Sequence, residues 1–417
     1  MVIEELQENL RSSVPQETTI EDTLGRGVET LLPNKEGLVS LMQESRIRLY
    51  LGIDPTSPDL HIGHLVPLRK LRQFQNLGHE VILLFGTFTG MIGDPTDKSA
   101  GRVRLDAAQI GKNIETYEQQ ASKVLDLSKF TSNPILIKHN HEWLQSLTFS
   151  EVVDLAANFS VQQMEARSMF QDRIKEDKPI WLHEFLYPLM QGYDSVFMDI
   201  DLEVGGKDQI FNMLVGRDLM KRYHDKEKWV LGNKLIEDPS GKKMGKTEGN
   251  IVNINEWPEV KYEALMTWPD GAISTGFELL TLASLEDVKE TQTIVETQGI
   301  NPMIFKEAFA YRVISELDGK EAADYAEEEF SNVKRKKMLP RRIKEVEVNP
   351  NLKLNDVLVL AGLAKDEAEA FRYISAGAVV INGKDIRKNI ILPAPEVLIQ
   401  IGRRTIKNIR LVKFDTD

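Results

Sequence analysis

Asp54-Pro-Thr-Ser-Pro-Asp-Leu-His-Ile-Gly-His64 and Lys242-Lys-Met-Gly-Lys-Thr247 lie far apart in the chain, yet together they hold what a nucleoside triphosphate needs. His61 and His64 are three residues apart, so on a helix they share one face. Backbone N–H groups at a helix start favour phosphate, and Gly63 has no side chain to block a nucleotide. Lys243 and Lys246 sit between Asp238-Pro-Ser-Gly241 and Glu248-Gly-Asn250, a composition that predicts a surface loop. Such a loop can bring two cations to the phosphates, where charge develops during phosphoryl chemistry. Alone, each segment reads as a capped turn or a solvated loop. In combination they point to ATP activation.

The elements that must position these groups follow from the apolar pattern. Arg46–Ile53 predicts a strand, Pro55 and Pro58 forbid a helix directly after it, and an amphipathic helix is expected from about His61. Apolar runs such as Val81–Phe85 and Ile135–Ile137 alternate with helical patterns up to Asn255. This predicts an α/β fold with a doubly wound, Rossmann-like parallel sheet in residues 36–255. Residues 256–338 read as an α-helical domain and 339–351, bracketed by Pro340 and Pro350, as a charged linker. A small α+β module is expected over 352–417, with Asn382-Gly383 marking a hairpin. Residues 1–35 form an N-terminal extension that the pattern does not place.

Composition sets limits on function. The 417 residues suffice for two or three domains, and 41% hydrophobic content suffices for real cores. The absence of cysteine removes disulfides, thiolate catalysis and cysteine-based metal sites. No apolar run is long enough for a membrane span, and the acidic N-terminal segment has no signal-peptide core, so a cytoplasmic location without membrane contact is expected. The net charge of −12 argues against a generally basic nucleic-acid binder. The basic residues are clustered, however, at Lys334–Lys337 with Arg341 and Arg342, and at Arg403, Arg404, Lys407, Arg410 and Lys413.

With both nucleotide segments in view, the chain resembles the class I aminoacyl-tRNA synthetases, and among them the bacterial-type tyrosyl enzymes. The histidine segment is similar to the first class signature and Lys243-Met-Gly-Lys-Thr247 to the second. Tyr187-Pro-Leu-Met-Gln-Gly-Tyr-Asp194 and Val204-Gly-Gly-Lys-Asp-Gln209 look like the family's tyrosine and ribose segments. The C-terminal module resembles the family's S4-like RNA-binding fold, although Lys365-Asp-Glu-Ala-Glu-Ala-Phe-Arg372 is acidic where the family helix is commonly basic.

The resemblance implies a set of roles. Tyr50 and Asp194 would recognise a substrate phenol, and Gly52, Asp54, Asp94, Tyr187 and Gln191 would surround the rest of the amino acid. Thr56, His61 and His64 would meet the ATP phosphates and ribose, with Gly63, Gly206, Asp208 and Gln209 completing the nucleotide site. Lys98 and Arg102, after the strand-like Phe85–Ile92 stretch, would join Lys243 and Lys246 on the pyrophosphate. Lys221, Arg222, Arg372, Arg403, Arg404, Lys407 and Arg410 would contact tRNA. ATP with Mg2+ enters as a co-substrate, and no permanently bound metal or organic cofactor is expected. Partners would be tRNA(Tyr), L-tyrosine and a second copy of the chain, the homodimer forming through a connective helix over 150–164. A tryptophanyl enzyme, another nucleotidyltransferase and a non-catalytic RNA-binding paralogue are the alternatives. The first normally lacks the C-terminal module, the second does not need a helical domain, and the third would not need the cations.

Overall fold

A computed structural model describes residues 2–12, 17–94, 105–237, 252–297, 299–336, 338–349, 351–392, 396–402 and 408–414. Two compact units result, 1–323 and 324–417.

The first unit is built on six strands: β1 (Val28–Leu32), β2 (Arg48–Ile53), β3 (Glu80–Phe85), β4 (Leu136–His139), β5 (Leu202–Gly206) and β6 (Trp229–Asn233). Their spatial order is β1-β6-β5-β2-β3-β4. β2 to β6 are mutually parallel, as near-continuous apolar runs such as Val81-Ile-Leu-Leu-Phe85 require when both faces are covered. From β2 the chain moves outward to β3 and β4, then returns to place β5 on the other side of β2. That reversal between β2 and β5 is a topological switch point, where open parallel sheets bind ligands at their carboxyl ends. The β2–β5 register runs only through Leu49–Leu202 and Tyr50–Glu203, so a crevice opens beyond Tyr50.

The extension left unplaced by the sequence joins this sheet, because β1 pairs antiparallel with β6 and covers its edge. Arg26, just before it, donates to the carbonyls of Phe277, Glu278, Thr281 and Ala283 at 2.6–3.1 Å, closing the end of the Ile273–Leu280 helix. The helices predicted after residue 256 are present at Pro258–Met266, Ile273–Leu280, Leu285–Thr297, Met303–Asp318 and Lys320–Phe330.

Two local expectations need correction. The Phe85–Ile92 stretch is not one strand: β3 ends at Phe85 and a short helix, Thr89–Ile92, follows. The chain must turn at Gly86, where a Cβ atom would lie 1.8 Å from Asp54 Oδ1. The segment 150–164 is two helices, Phe149–Ala156 and Val161–Glu165. Ser160 starts the second by accepting from the Gln163 N–H while Gln163 accepts from the Ser160 N–H, a capping box that ends any continuous helix.

Behind the crevice, the Leu182–Met198 and Ile210–His224 helices pack closely through Gly192. A Cβ there would lie 2.8 Å from Leu219 Cδ1 and 3.2 Å from the Gly216 nitrogen.

The second unit contains β7 (Lys344–Val348), β8 (Val379–Ile381), β9 (Lys384–Ile386), β10 (Glu396–Ile401) and β11 (Asn408–Phe414), in the order β7-β11-β10-β8-β9. The predicted linker 339–351 therefore contains a strand. Glu345 and Glu347 alternate with Val346 and Val348, and the two valines face the core of this sheet. Asn382 and Gly383 turn the chain between β8 and β9, with positive φ values of 46° and 82°. The Leu354–Leu360 and Glu367–Ser375 helices cover the sheet through Leu354, Val357, Leu358, Ala370 and Ile374.

Candidate active site

The predicted amino-acid pocket residues converge on the crevice between β2 and β5. Tyr50 lies in β2 and is buried. Its hydroxyl is 3.2 Å from Ser195 Oγ and 3.4 Å from the Gln191 carbonyl. Burial, then the Glu203 and Asp194 carboxylates, push the Tyr50 phenol well above its ordinary pKa. Asp54 follows β2 and accepts from Thr89 Oγ1 at 2.7 Å and from the Tyr187 hydroxyl at 2.8 Å. Tyr187, Gln191 and Asp194 all project from the Leu182–Met198 helix.

Asp194 is buried, and each carboxylate oxygen has a donor: Trp143 Nε1 at 2.8 Å and Asn140 Nδ2 at 3.2 Å. Burial raises its pKa well above the usual carboxylate range. The two donors oppose that rise, and the nearby Glu203 and Asp54 charges add to it. Such a carboxylate can accept a proton donor that enters the crevice.

Asp94 accepts from Gln209 Nε2 at 2.6 Å, and the buried Arg167 guanidinium lies 3.6 Å from its other oxygen. Burial lowers the Arg167 pKa while Asp94 opposes the change. Among the described residues neither Nη atom of Arg167 has a hydrogen-bond partner, so there Arg167 acts on Asp94 as a charge rather than as a fork.

His61 and His64 stand at the 3₁₀ turn Ile62–His64, directly before the Leu65–Asn76 helix. His61 Nδ1 accepts from the Gly63 N–H at 3.1 Å, and His64 Nδ1 accepts from the His61 N–H at 3.0 Å. A neutral ring that accepts at Nδ1 carries its proton on Nε2. Both rings, 3.9 Å apart, are therefore fixed as Nε2–H donors. The capping bonds use the backbone N–H groups that the sequence reading reserved for phosphate, and they move the donor role to the rings.

The segment after the second signature returns to the first. Ile62 N–H donates to the Val252 carbonyl at 2.9 Å and Ile254 N–H to the Leu60 carbonyl at 2.8 Å. Lys243 and Lys246 themselves lie outside the described residues, as do Lys98 and Arg102. Thr56 and Gly52 are exposed near the carboxyl end of β2, Gly63 lies in the histidine turn, and Gly206 closes β5. Asp208 and Gln209 follow in the turn Lys207–Gln209.

The candidate RNA contacts belong to both units. Lys221 pairs with Asp225 at 2.5 Å and Arg222 donates to Asn158 Oδ1 at 3.1 Å, both in the first unit. Arg372, in the second, is exposed, pairs with Glu369 at 2.9 Å and lies 5.9 Å from the Tyr373 ring centre. Arg403, Arg404 and Lys407 lie outside the described residues. Arg410 is in β11.

Sequence reasoning missed Asn140, Trp143, Thr89, Arg167, Asn212, Glu203 and Lys228. Their partners are set by strand register and helix packing, which no short motif encodes. Glu203 carried one signal, as an acidic residue inside the apolar run Leu202–Val204.

Comparison places this chain in a known class. The chain belongs to the family described as tRNA synthetases class I (W and Y), whose model matches residues 42–333. Within that class its relatives are tyrosine enzymes. It is 41% identical to the tyrosine–tRNA ligase of Carboxydothermus hydrogenoformans, over 92% of this chain and 95% of that one. Identity to the tyrosine–tRNA ligase of Thermotoga maritima is 39%, over 91% and 94%. The fold matches that of a C-terminally truncated Aspergillus nidulans mitochondrial tyrosyl-tRNA synthetase, with TM-score 0.62, 21% identity and coverage of 79% of this chain and 98% of that one. A tyrosyl-tRNA synthetase from Archaeoglobus fulgidus, complexed with L-tyrosine, gives TM-score 0.58 at 20% identity, over 77% and 99%.

The Asp194 environment gives a direct test. Trp143→Phe removes a donor that stabilises the ionised form, at about 1 kcal/mol or more, so the Asp194 pKa should rise further. Infrared difference spectra against Asp194→Asn would follow the carboxyl band with pH. The protonated band should persist to higher pH in Trp143→Phe than in the unmodified protein.

Proposed function

We propose that this chain is a tyrosine–tRNA ligase. It activates L-tyrosine with ATP to tyrosyl-adenylate and pyrophosphate, then transfers tyrosine to the 3′ end of tRNA(Tyr). The observation that carries the amino-acid assignment is Asp194, a buried carboxylate held by Trp143 and Asn140 beside the Tyr50 hydroxyl. A phenol satisfies that carboxylate. Phenylalanine brings no donor to add to those of Trp143 and Asn140, and losing a hydrogen bond to a buried charged group costs about 1.5–3 kcal/mol.

The tyrosine carboxylate is already ionised at neutral pH, so its attack on the α-phosphorus needs no general base. Catalysis comes from alignment and from stabilising charge that moves onto the departing pyrophosphate. In this reading Asp54, Asp94, Tyr187 and Gln191 surround the tyrosine ammonium and backbone, with Gly52 leaving room beside them. The His61 and His64 Nε2–H groups, with Thr56, donate to the phosphates and ribose. Gly63, Gly206, Asp208 and Gln209 complete the nucleotide site, and Lys98, Arg102, Lys243 and Lys246 supply the cations. Mg2+ enters with the phosphates of ATP. In the second step a terminal ribose hydroxyl of tRNA attacks the tyrosyl carbonyl, and AMP leaves.

Tyrosine-dependent exchange of pyrophosphate into ATP tests the first step. Exchange is expected with tyrosine and hardly any with phenylalanine or tryptophan. Equal exchange with tryptophan, or none with tyrosine in the presence of Mg2+, would contradict the assignment.

Lys221, Arg222, Arg372, Arg403, Arg404, Lys407 and Arg410 serve the RNA in this reading, and phosphate contacts of that kind are salt-sensitive. Ending the chain after Leu339 removes the whole second sheet, β7 included. Pyrophosphate exchange should survive this truncation, and charging of tRNA at physiological salt should fall by at least about tenfold, the loss expected from a few phosphate contacts. Undiminished charging would remove residues 340–417 from tRNA binding.

The homodimer is supported by the exposed side chains of Phe149, Val153, Val161 and Leu182, the last 79% exposed. An apolar group of that kind marks an interaction surface. Sedimentation equilibrium should give twice the chain mass, and a monomer at micromolar concentration would refute it. No helix among the described residues is long and apolar enough to cross a membrane, and the reading places the enzyme in the cytoplasm.

A further inference from the structure

Beneath the pocket lies an ion pair that the reaction as described does not use. Lys228 Nζ meets Glu203 Oε2, with side-chain exposures of 0% and 3%. Burying two charges costs desolvation that their attraction rarely exceeds, and apolar replacements of such pairs are often neutral or stabilising. Stability alone therefore gives no reason for the pair.

The contacts of the carboxylate do give one. Glu203 Oε1 accepts from Gln191 Nε2 at 2.8 Å, so Gln191 Oε1 is turned toward Asn212 Nδ2 at 3.0 Å. Asn212 Nδ2 also donates to Gln209 Oε1 at 3.0 Å, and Gln209 Nε2 donates to Asp94 at 2.6 Å. On the other side, Ser195 Oγ donates to Glu203 Oε2 at 3.5 Å and is then left to accept from the Tyr50 hydroxyl at 3.2 Å. Glu203 is also the sheet partner of Tyr50, at the last pair before the crevice opens. An ionised carboxylate can only accept, so it fixes the direction of both chains of hydrogen bonds. A neutral amide at this position could reverse either one.

We propose that Lys228 and Glu203 are positioning residues for the amino-acid pocket: the carboxylate sets Gln191 and Tyr50 together, and the ammonium prevents that carboxylate from facing Asp194 uncompensated. The inference rests on the tyrosine reading of the crevice. Among the described residues, the charged and titratable groups facing Asp194 are Tyr50, Asp54, Tyr187, Glu203 and Lys228. Of these, only Lys228 carries a positive charge. Burial lowers its own pKa, and the Glu203 carboxylate opposes that shift.

Pyrophosphate exchange with tyrosine and phenylalanine would be measured on the full chain and on Lys228→Met, Glu203→Gln and the double variant Glu203→Gln/Lys228→Met. Lys228→Met should raise KM for tyrosine roughly tenfold, the equivalent of one lost charge-assisted hydrogen bond, and leave KM for ATP within about twofold. The acid limb of kcat/KM for tyrosine should also move to higher pH, because Glu203 then acts on Asp194 without its counter-charge. The double variant buries no uncompensated charge and should melt close to the unmodified protein, while still showing the raised tyrosine KM and weaker discrimination against phenylalanine. A double variant with unmodified tyrosine KM and discrimination would overturn the proposal, as would an equal rise in both KM values. If the unmodified protein showed no tyrosine-dependent exchange, the functional reading would fail, and this inference with it.

Discussion

Ionised side chains withdrawn from water must be met by other polar groups, and the crevice between β2 and β5 concentrates that requirement. Asp54, Asp194 and Glu203 lie around it, the latter two buried. Their donors come from separate parts of the sheet: Thr89 after β3, Asn140 and Trp143 after β4, Lys228 before β6, and Tyr187 and Gln191 from the intervening helix. No single element satisfies all three. An unmet buried charge costs several kcal/mol, so these carboxylates are tolerable only when the sheet is fully assembled. The strand order that creates the crevice also brings the donors to it.

The same arrangement divides the site by charge. Carboxylates gather in the crevice beyond Tyr50, and N–H donors gather at the histidine turn. There the two rings cap the chain with one nitrogen and offer the other, so a local folding device also fixes a tautomer. Residues 252–254 return to this turn through backbone hydrogen bonds, and the Asn253 side-chain amide donates to Asp59 Oδ2 at 3.3 Å.

Much of this was legible in the sequence. Continuous apolar runs announced β2 and β3, Asn382-Gly383 announced a hairpin, and the spacing of Tyr187, Gln191 and Asp194 placed them on one helix. What escaped was of two kinds. The segments β1 and β7 are short and pair with strands distant in sequence, so nothing local marks them: Val28-Glu-Thr-Leu-Leu32 has weak alternation, and the charges of Lys344–Val348 resemble a linker. The groups around Asp194 and Glu203 escaped because burial and register, not spacing, choose their partners. Lys228 in particular reads as a surface residue in Asp225-Lys-Glu-Lys228 until β6 is placed beside β5.

The pairing of β1 with β6 also bears on how the chain can be made. The first strand of the sheet to be synthesised has the last as its partner, so Val28–Leu32 must wait until Val230–Asn233 has emerged. The N-terminal helix Val2–Arg11 waits longer still, because Arg312, in the Met303–Asp318 helix, donates to the Leu10 carbonyl at 3.4 Å. Contacts between such remote segments slow folding, and synthesis runs at only about 5–20 residues per second. Residues 2–32 are thus translated before the segments they pack against and are among the last to find their place.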